Sequence, residues 1–313
     1  MLAVSLLALY VSTELLVESS RKIASYAGWS SEAIGAILIS LATAMDEIIT
    51  GAVSAVERVP TLGIGTLLGS TVVVTTFVPS LLVILKGDVS TKGNLSAREA
   101  VTSSLSTALA VSLLFAKALD AYTGFLLVLL YSVYVYYVAR GEAKDEANPP
   151  QRPSARMLIK TLFVLFASIL LLYTSAEFSV LASVSIADTY SIPDFIVGVL
   201  VLGLGVELPE IMVSMVSTEK EEKGMALSTI LGSNTAKALL GLGSMATLGG
   251  DMALPLSQSV LSSAFFALAS PLLLHASMRG GHKLNRMDAI PLLVAYVIYV
   301  SLVILRYPWA THY

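Results

Sequence analysis

Ten stretches of this chain are apolar over lengths that match the hydrocarbon core of a lipid bilayer, and no other feature constrains its fold as tightly. They run over 1–17, 31–56, 61–86, 100–118, 121–139, 157–176, 195–217, 224–249, 256–277 and 288–306. A helix needs roughly 20 such residues to cross about 30 Å of hydrocarbon. Without water, every peptide group in that layer must be paired internally, so only helices and closed barrels span it, and these runs lack the short-period alternation of barrel strands. The expected fold is all-α and integral to the membrane, with ten transmembrane helices. Charged residues are 13% of the chain and mean hydropathy is +0.81, whereas soluble domains carry about 25% charge. The first run has no Lys or Arg ahead of it and no small-x-small cleavage pattern, so it is kept as a span rather than read as a signal peptide. The absence of cysteine excludes disulfides and thiolate metal sites, and a net charge of −3 gives no ground for a nucleic-acid partner.

The chain also repeats itself. Shifted by 163 residues without a gap, Tyr10 falls on Tyr173, Ser12 on Ser175, Glu14 on Glu177, Gly35 on Gly198, Glu47 on Glu210, Thr66 on Thr229, Gly69 on Gly232 and Ser70 on Ser233. Glutamates and glycines holding one register over this length mark a duplicated unit with five spans per copy. The first copy is 1–139 and the second 157–313; between them 140–156 (RGEAKDEANPPQRPSAR) is charged, proline-rich and without apolar period, a solvated linker. Loops after odd-numbered spans hold 15 of the 19 Lys and Arg, the opposite side only Arg58, Lys117 and Arg306. By the positive-inside rule the odd loops and the linker are cytoplasmic and both termini lie outside. An odd number of spans per copy makes the two five-helix repeats inverted, an arrangement many secondary transporters use to build a site at the bilayer midplane.

Chemistry concentrates in two pairs of spans. In span 7, GLGVELPEIMVS places Pro209 where it cannot donate to the Gly205 carbonyl and its ring crowds that turn, so the helix is expected to kink or unwind there. Glu207 and Glu210, three residues apart, share a face beside the break. The matching run in span 2, SLATAMDEIITG, has Thr43 one turn before Glu47, with Asp46 in the proline's place and pointing elsewhere. Charges at the bilayer centre cost several kcal/mol, so Glu47 and Glu210 are expected to face a cavity or a partner, and such hard oxygen ligands suit Na⁺ or Ca²⁺. In spans 3 and 8, GTLLGS (Gly65 to Ser70) and STILGSN (Ser228 to Asn234) set small residues four apart, which lets helices pack closely. Ser70 and Ser233 are read in addition as hydroxyl ligands facing the carboxylates. Asp46, Asn234 and the span-end pair Glu14 and Glu177 are further candidates.

Taken together, STELLVESSRKIASYAGWS, SLATAMDE, GTLLGS, GLGVELPE and STILGSN resemble the cation/calcium exchanger superfamily, which includes sodium/calcium exchangers and whose two α-repeats typically read G-T-S-x-P-E and then G-N-x-x-G-S-N. The similarity covers most of the chain. It implies a ten-helix antiporter holding ions at its centre, with Thr43, Glu47, Ser70, Glu210 and Ser233 on the positions of the family's ligands and carbonyls near Ser40 and Gly203 contributing. It also implies transported cations and the lipid bilayer as partners, no resident cofactor, and a multi-pass location in the cell membrane; it leaves the oligomeric state open.

The departures from the pattern are specific. The family's Ser one turn before each Glu is Ala44 in the first repeat and Glu207 in the second, its Thr is Val206 in the second, and the acid or amide four after the GS serine is Val74 in span 3 and Lys237 in span 8. Lys237 is expected to pair with Glu207, because a neighbouring carboxylate keeps an ammonium charged in a low-dielectric site. Glu47, Glu207 and Glu210 with Lys237 then sum to −2, and Lys237 either takes a sodium ion's space or couples transport to protons. The function read from this is secondary active cation antiport, Ca²⁺ or a related cation for Na⁺ or H⁺ by alternating access, and not an enzyme. Two alternatives stay open: a degenerate, non-transporting relative, given Ala44, Val74 and Val206, and an intramembrane carboxylate hydrolase, for which no nucleophile, His pair or Gly-x-Gly-Asp run is present.

Overall fold

The computed structural model describes residues 2–56, 58, 60–90, 95–141, 152–189, 205, 207–250, 258–278 and 283–305. Within these residues the predicted spans are helical except at Ala44, at Glu207 and over 116–118. The helices are α1 (Leu2–Ala27), α2 (Ser31–Ile34), α3 (Ser40–Thr43), α4 (Met45–Val56), α5 (Pro60–Val72), α6 (Val78–Lys86), α7 (Leu95–Phe115), α8 (Ala121–Gly141), α9 (Ala155–Thr189), α10 (Leu208–Glu219), α11 (Lys223–Ala236), α12 (Leu242–Gly249), α13 (Gln258–Met278) and α14 (Arg286–Leu305). Wider π-helical turns join α2 to α3 (Gly35–Ile39), α5 to α6 (Val73–Phe77) and α11 to α12 (Lys237–Gly241). Extended backbone is confined to Val89–Ser90 and Lys283–Leu284 among the described residues. Most of the predicted linker, 142–151, and the start of span 7, 195–204, lie outside them.

Among the described residues six helices are long and apolar enough to cross a membrane: Ala3–Ala27, Gly63–Lys86, Ala121–Arg140, Ala155–Ser175, Val260–Met278 and Arg286–Val303, and the pair Ser31–Thr43 and Glu47–Val56, counted as one broken span, makes a seventh. Large apolar side chains lie exposed along them, among them Leu7, Tyr122, Phe163, Phe166, Leu170 and Ile290. An aqueous surface would penalise such a row, whereas acyl chains accept it at no cost.

By its internal contacts the chain divides into two compact units, Met1–Ala44 with Val89–Glu99 and Val133–Ser233, and Met45–Asp88 with Ala100–Ser132 and Asn234–Tyr313. In the first, α1 packs lengthwise on α9 and more briefly on α10. Leu9, Leu16, Val17 and Ala24 of α1 meet Leu165 and Leu172 of α9 in a core that also takes in Ile34, Ile39, Val213, Val216 and Met225. The span containing α2 and α3 crosses α11 closely enough that glycine is required: a Cβ on Gly232 would lie 2.4 Å from the Ala36 carbonyl oxygen, and one on Gly35 2.7 Å from that of Met225. The small-residue face expected of span 8 is thus a helix crossing. Gly65 of span 3, which matches Ser228, faces open space, where a Cβ would meet nothing within 4 Å, so packing there does not use it.

In the second unit α4 packs on α5 and α12, α13 on α5 and α14, and α14 on α6. Buried hydroxyls turn back onto their own helices, as where Thr75 donates to the Thr71 carbonyl (2.6 Å), Thr76 to Val72 (2.5 Å) and Ser80 to Thr76 (2.7 Å). That habit satisfies a polar side chain away from water without a second partner. Helix α8 opens on a reciprocal cap, the Thr123 N–H donating to Asp120 Oδ1 (2.8 Å) and the Asp120 N–H to Thr123 Oγ1 (3.0 Å). These bonds hold the Asp120 carboxyl below its ordinary pKa.

Candidate functional site

The carboxylates sit where helices restart. Ala44, between α3 and α4, has φ −88° and ψ 3°, and Glu207, ahead of α10, has φ −91° and ψ 4°. These are the same position of the two copies under the 163-residue shift, and both lie in the bridge region between helix and strand. Pro209 does not cause the break, since the first copy breaks without a proline; Pro209 occupies the first turn of α10, where its missing N–H is no loss. Glu47 and Glu210 are each the third residue of the restarted helix. Unpaired N–H groups and the positive end of the helix dipole favour a negative side chain there.

In the first unit, Glu207 and Glu210 are both fully buried, and a carboxylate oxygen of one lies within 4.8 Å of the other. The Ser233 hydroxyl donates to Glu210 Oε1 (3.0 Å) from α11. Thr43 is buried, but its hydroxyl donates to the Ser40 carbonyl (3.3 Å), which also accepts the Ala44 N–H (3.1 Å). Tyr173 reaches over from α9 to donate to the Ala42 carbonyl at the open end of α3. Glu14 is half-buried on α1 and pairs with Lys220 (3.1 Å), while Glu177 is exposed. Neither is drawn toward Glu210 by these contacts. The Gly203 carbonyl and Val206 lie outside the described residues, as does the side chain of Asp46.

In the second unit, Glu47 and Lys237 are both fully buried, and Lys237 Nζ lies 2.7 Å from Glu47 Oε1. The sequence reading expects Glu207 as a counter-ion of the lysine; Glu47, which it does not name for this role, is one. Spacing along span 8 places the lysine near the site without selecting between carboxylates. Lys237 opens the π turn Lys237–Gly241, and under the repeat shift the Val73–Phe77 turn falls on 236–240, one residue away. A π turn inserts a residue into the helix and recurs at functional positions. Ser70 is buried and its hydroxyl donates to the Leu67 carbonyl (3.3 Å). Asn234 donates both amide hydrogens to α7, to Ser103 Oγ (2.7 Å) and Thr107 Oγ1 (2.9 Å).

One buried acid was not singled out from the sequence. Glu99, at the start of α7, is 2% exposed and accepts a 2.6 Å bond from the Tyr134 hydroxyl, which lies 3.3 Å from the Ala36 carbonyl. Its signal was an acid at the edge of the apolar run beginning at residue 100.

The sodium/calcium exchanger protein family model matches residues 1–140 and 160–305. The chain belongs to the sodium/calcium exchanger family. It is therefore a multi-pass membrane transporter, a cation antiporter and not an enzyme. An uncharacterized membrane protein of Methanocaldococcus jannaschii is 27% identical over 308 residues, 95% of this chain and 94% of that protein. The sodium/calcium exchanger MaX1 of Methanosarcina acetivorans is 29% identical over 151 residues, 47% of this chain and 41% of that protein. A solved structure of the sodium-calcium exchanger NCX_Mj, soaked with 2.5 mM Na⁺ and 0.1 mM Sr²⁺, has the same fold at a TM-score of 0.79 and 24% identity, covering 96% of each chain. Exchanger membership sets aside the hydrolase reading. Among the described residues the buried Glu47 and Glu210 stand on restarted helices and Glu207 immediately before one, acids of the kind a cation carrier needs.

Proposed function

We propose that this exchanger carries Ca²⁺ or a chemically similar divalent cation against Na⁺ or H⁺ by alternating access, with Glu47, Thr43 and Ser70 of the first repeat and Glu207, Glu210 and Ser233 of the second as its cation ligands. The arrangement proposed is ten spans in two inverted repeats, 1–139 and 157–313, with the 140–156 linker cytoplasmic and both termini outside. One observation carries the reading: Glu207 and Glu210 are fully buried with oxygens within 4.8 Å of each other. Two ionised carboxylates at that distance repel by about 3 kcal/mol at an effective dielectric near 20, more in a drier site. A divalent cation, or monovalent cations in its place, turns that repulsion into attraction, and the Ser233 hydroxyl adds a neutral oxygen beside it. Two exchangeable loads on one set of carboxylates are what antiport needs.

The test is Ca²⁺ uptake by purified protein in liposomes under an outward Na⁺ gradient and, separately, an outward H⁺ gradient. Uptake under at least one gradient, lost in Glu210→Gln, is the expected result. No uptake of any divalent cation under either gradient would sink the proposal and leave a non-transporting family member.

A further inference from the structure

Lys237 is the bulkiest side chain with no solvent exposure among the described residues, and its ammonium lies 2.7 Å from a carboxylate oxygen of an equally buried Glu47. Zero exposure excludes a side chain that snorkels to the membrane surface. The two residues belong to one compact unit and to two elements that pack together, α4 and the π turn Lys237–Gly241. The repeat supplies an internal control: Val74, the mate of Lys237, sits in the matching π turn with an apolar side chain. The duplicated backbone therefore presents a positive charge in only one of its two copies.

We propose that Lys237 is a resident cation standing in for one transported charge at Glu47, and that exchange is consequently electroneutral, one divalent cation against two monovalent ones. This rests on the antiport reading above. Moving uncompensated charge through the bilayer is expensive, so a loaded carrier crosses with its buried charges close to balanced. With Glu47 cancelled by Lys237, the acids left among the proposed ligands are Glu207 and Glu210, together −2; Glu99 lies outside that set, bonded to Tyr134. One divalent cation cancels them, and so do two monovalent cations. Without the lysine three carboxylates would stay open; three monovalent cations would balance them, one divalent cation would leave −1, and each cycle would move one net charge.

Liposomes containing the purified protein, with K⁺ and valinomycin setting the membrane potential, read this directly as the steady-state accumulation ratio of radiolabelled Ca²⁺ at a fixed driving gradient. Moving one net charge per cycle changes that ratio about 50-fold for about 100 mV imposed, whereas an electroneutral cycle leaves it flat. The wild type is expected to be flat and Lys237→Gln to gain the dependence. The double variant Glu47→Gln with Lys237→Gln, neutral on both sides, also loses a proposed ligand and so transports more slowly; its steady-state accumulation ratio, which does not depend on rate, is expected to be flat again. It also keeps the test decisive if Lys237→Gln alone, with Glu47 left buried and uncompensated, does not fold. A wild-type ratio that follows the potential overturns the proposal, as does a folded Lys237→Gln that stays flat or a double variant that follows the potential. Absence of wild-type uptake under either gradient is a different failure, that of the antiport reading itself.

Discussion

The helix hairpin carrying Glu47 and the one carrying Glu210 share a backbone and differ in almost everything attached to it. Both restart a helix after the same bridge-region residue and place a fully buried glutamate third in that helix. In the first hairpin the glutamate is met by an ammonium, and the helices close tightly around glycine: a Cβ on Gly63 would lie 2.0 Å from Ser54 Oγ and 3.0 Å from the Gly51 Cα. Ser54 is itself satisfied, donating to the Gly51 carbonyl at 2.8 Å. In the second hairpin the glutamate has a second carboxylate and a hydroxyl for company. Beyond it Ser214, Ser217 and Thr229 bury hydroxyl oxygens that have no hydrogen-bond partner among the described residues. In one copy the glutamate meets an ammonium, in the other a carboxylate and a hydroxyl. A duplicated scaffold fixes where a carboxylate stands; its neighbours decide what that carboxylate can bind.

Substitutions can break that contrast or sharpen it. The largest effect is expected for Glu210→Gln, which removes one of the two buried carboxylates of the second repeat: gradient-driven Ca²⁺ uptake should fall at least about 100-fold, as loss of a charge-assisted ligand in a dry site costs several kcal/mol. Gly232→Ala comes next. Its methyl would meet the Ala36 carbonyl, a backbone atom that cannot rotate away, so the detergent-solubilised protein should lose about 1–3 kcal/mol of stability, read as a lower melting temperature. Gly65→Ala, at a glycine of span 3 that faces open space, should gain up to about 1 kcal/mol by the same assay, because only helix propensity changes there. Ser233→Ala should raise the Ca²⁺ concentration for half-maximal uptake by about tenfold with little change in melting temperature, and Ser70→Ala, whose hydroxyl is already spent on Leu67, by clearly less. Equal shifts for the two serines would erase the asymmetry of the hairpins. Smallest of all should be Pro209→Ala: if the break is set by the duplicated backbone, uptake stays within about twofold, and a much larger loss would return the break to the proline.

The helices were legible in the sequence because lipid leaves so few ways to bury twenty apolar residues. The run 61–86 became the continuous Pro60–Lys86 segment, and 288–306 became Arg286–Leu305. The carboxylates were legible because charge is rare in such runs and the repeat matches them. What was hidden depends on contacts along or across helices that leave no trace in spacing. The proline looked like the cause of the break because only its copy carries a recognised helix breaker, while Ala44 breaks with no such residue. Lys237 was placed near the site by its position after Ser233, yet which acid it meets is a tertiary matter. Asn234 resembles a ligand by motif; its amide hydrogens are held by Ser103 and Thr107, and its buried Oδ1 accepts no hydrogen bond among the described residues. Nor do π turns have a composition that announces them.

The matched breaks at Ala44 and Glu207 bear on leak. Each helix end at these positions leaves peptide groups without helical partners, and inside a hydrocarbon layer an unsatisfied group costs several kcal/mol. Tyr173 covers one of them, at the Ala42 carbonyl. A bound cation would coordinate other freed carbonyls, which makes the unloaded carrier the costly one to turn over. Slippage is then held down by the backbone itself, and efflux of Ca²⁺ into buffer lacking any countercation should run far slower than exchange through the same protein.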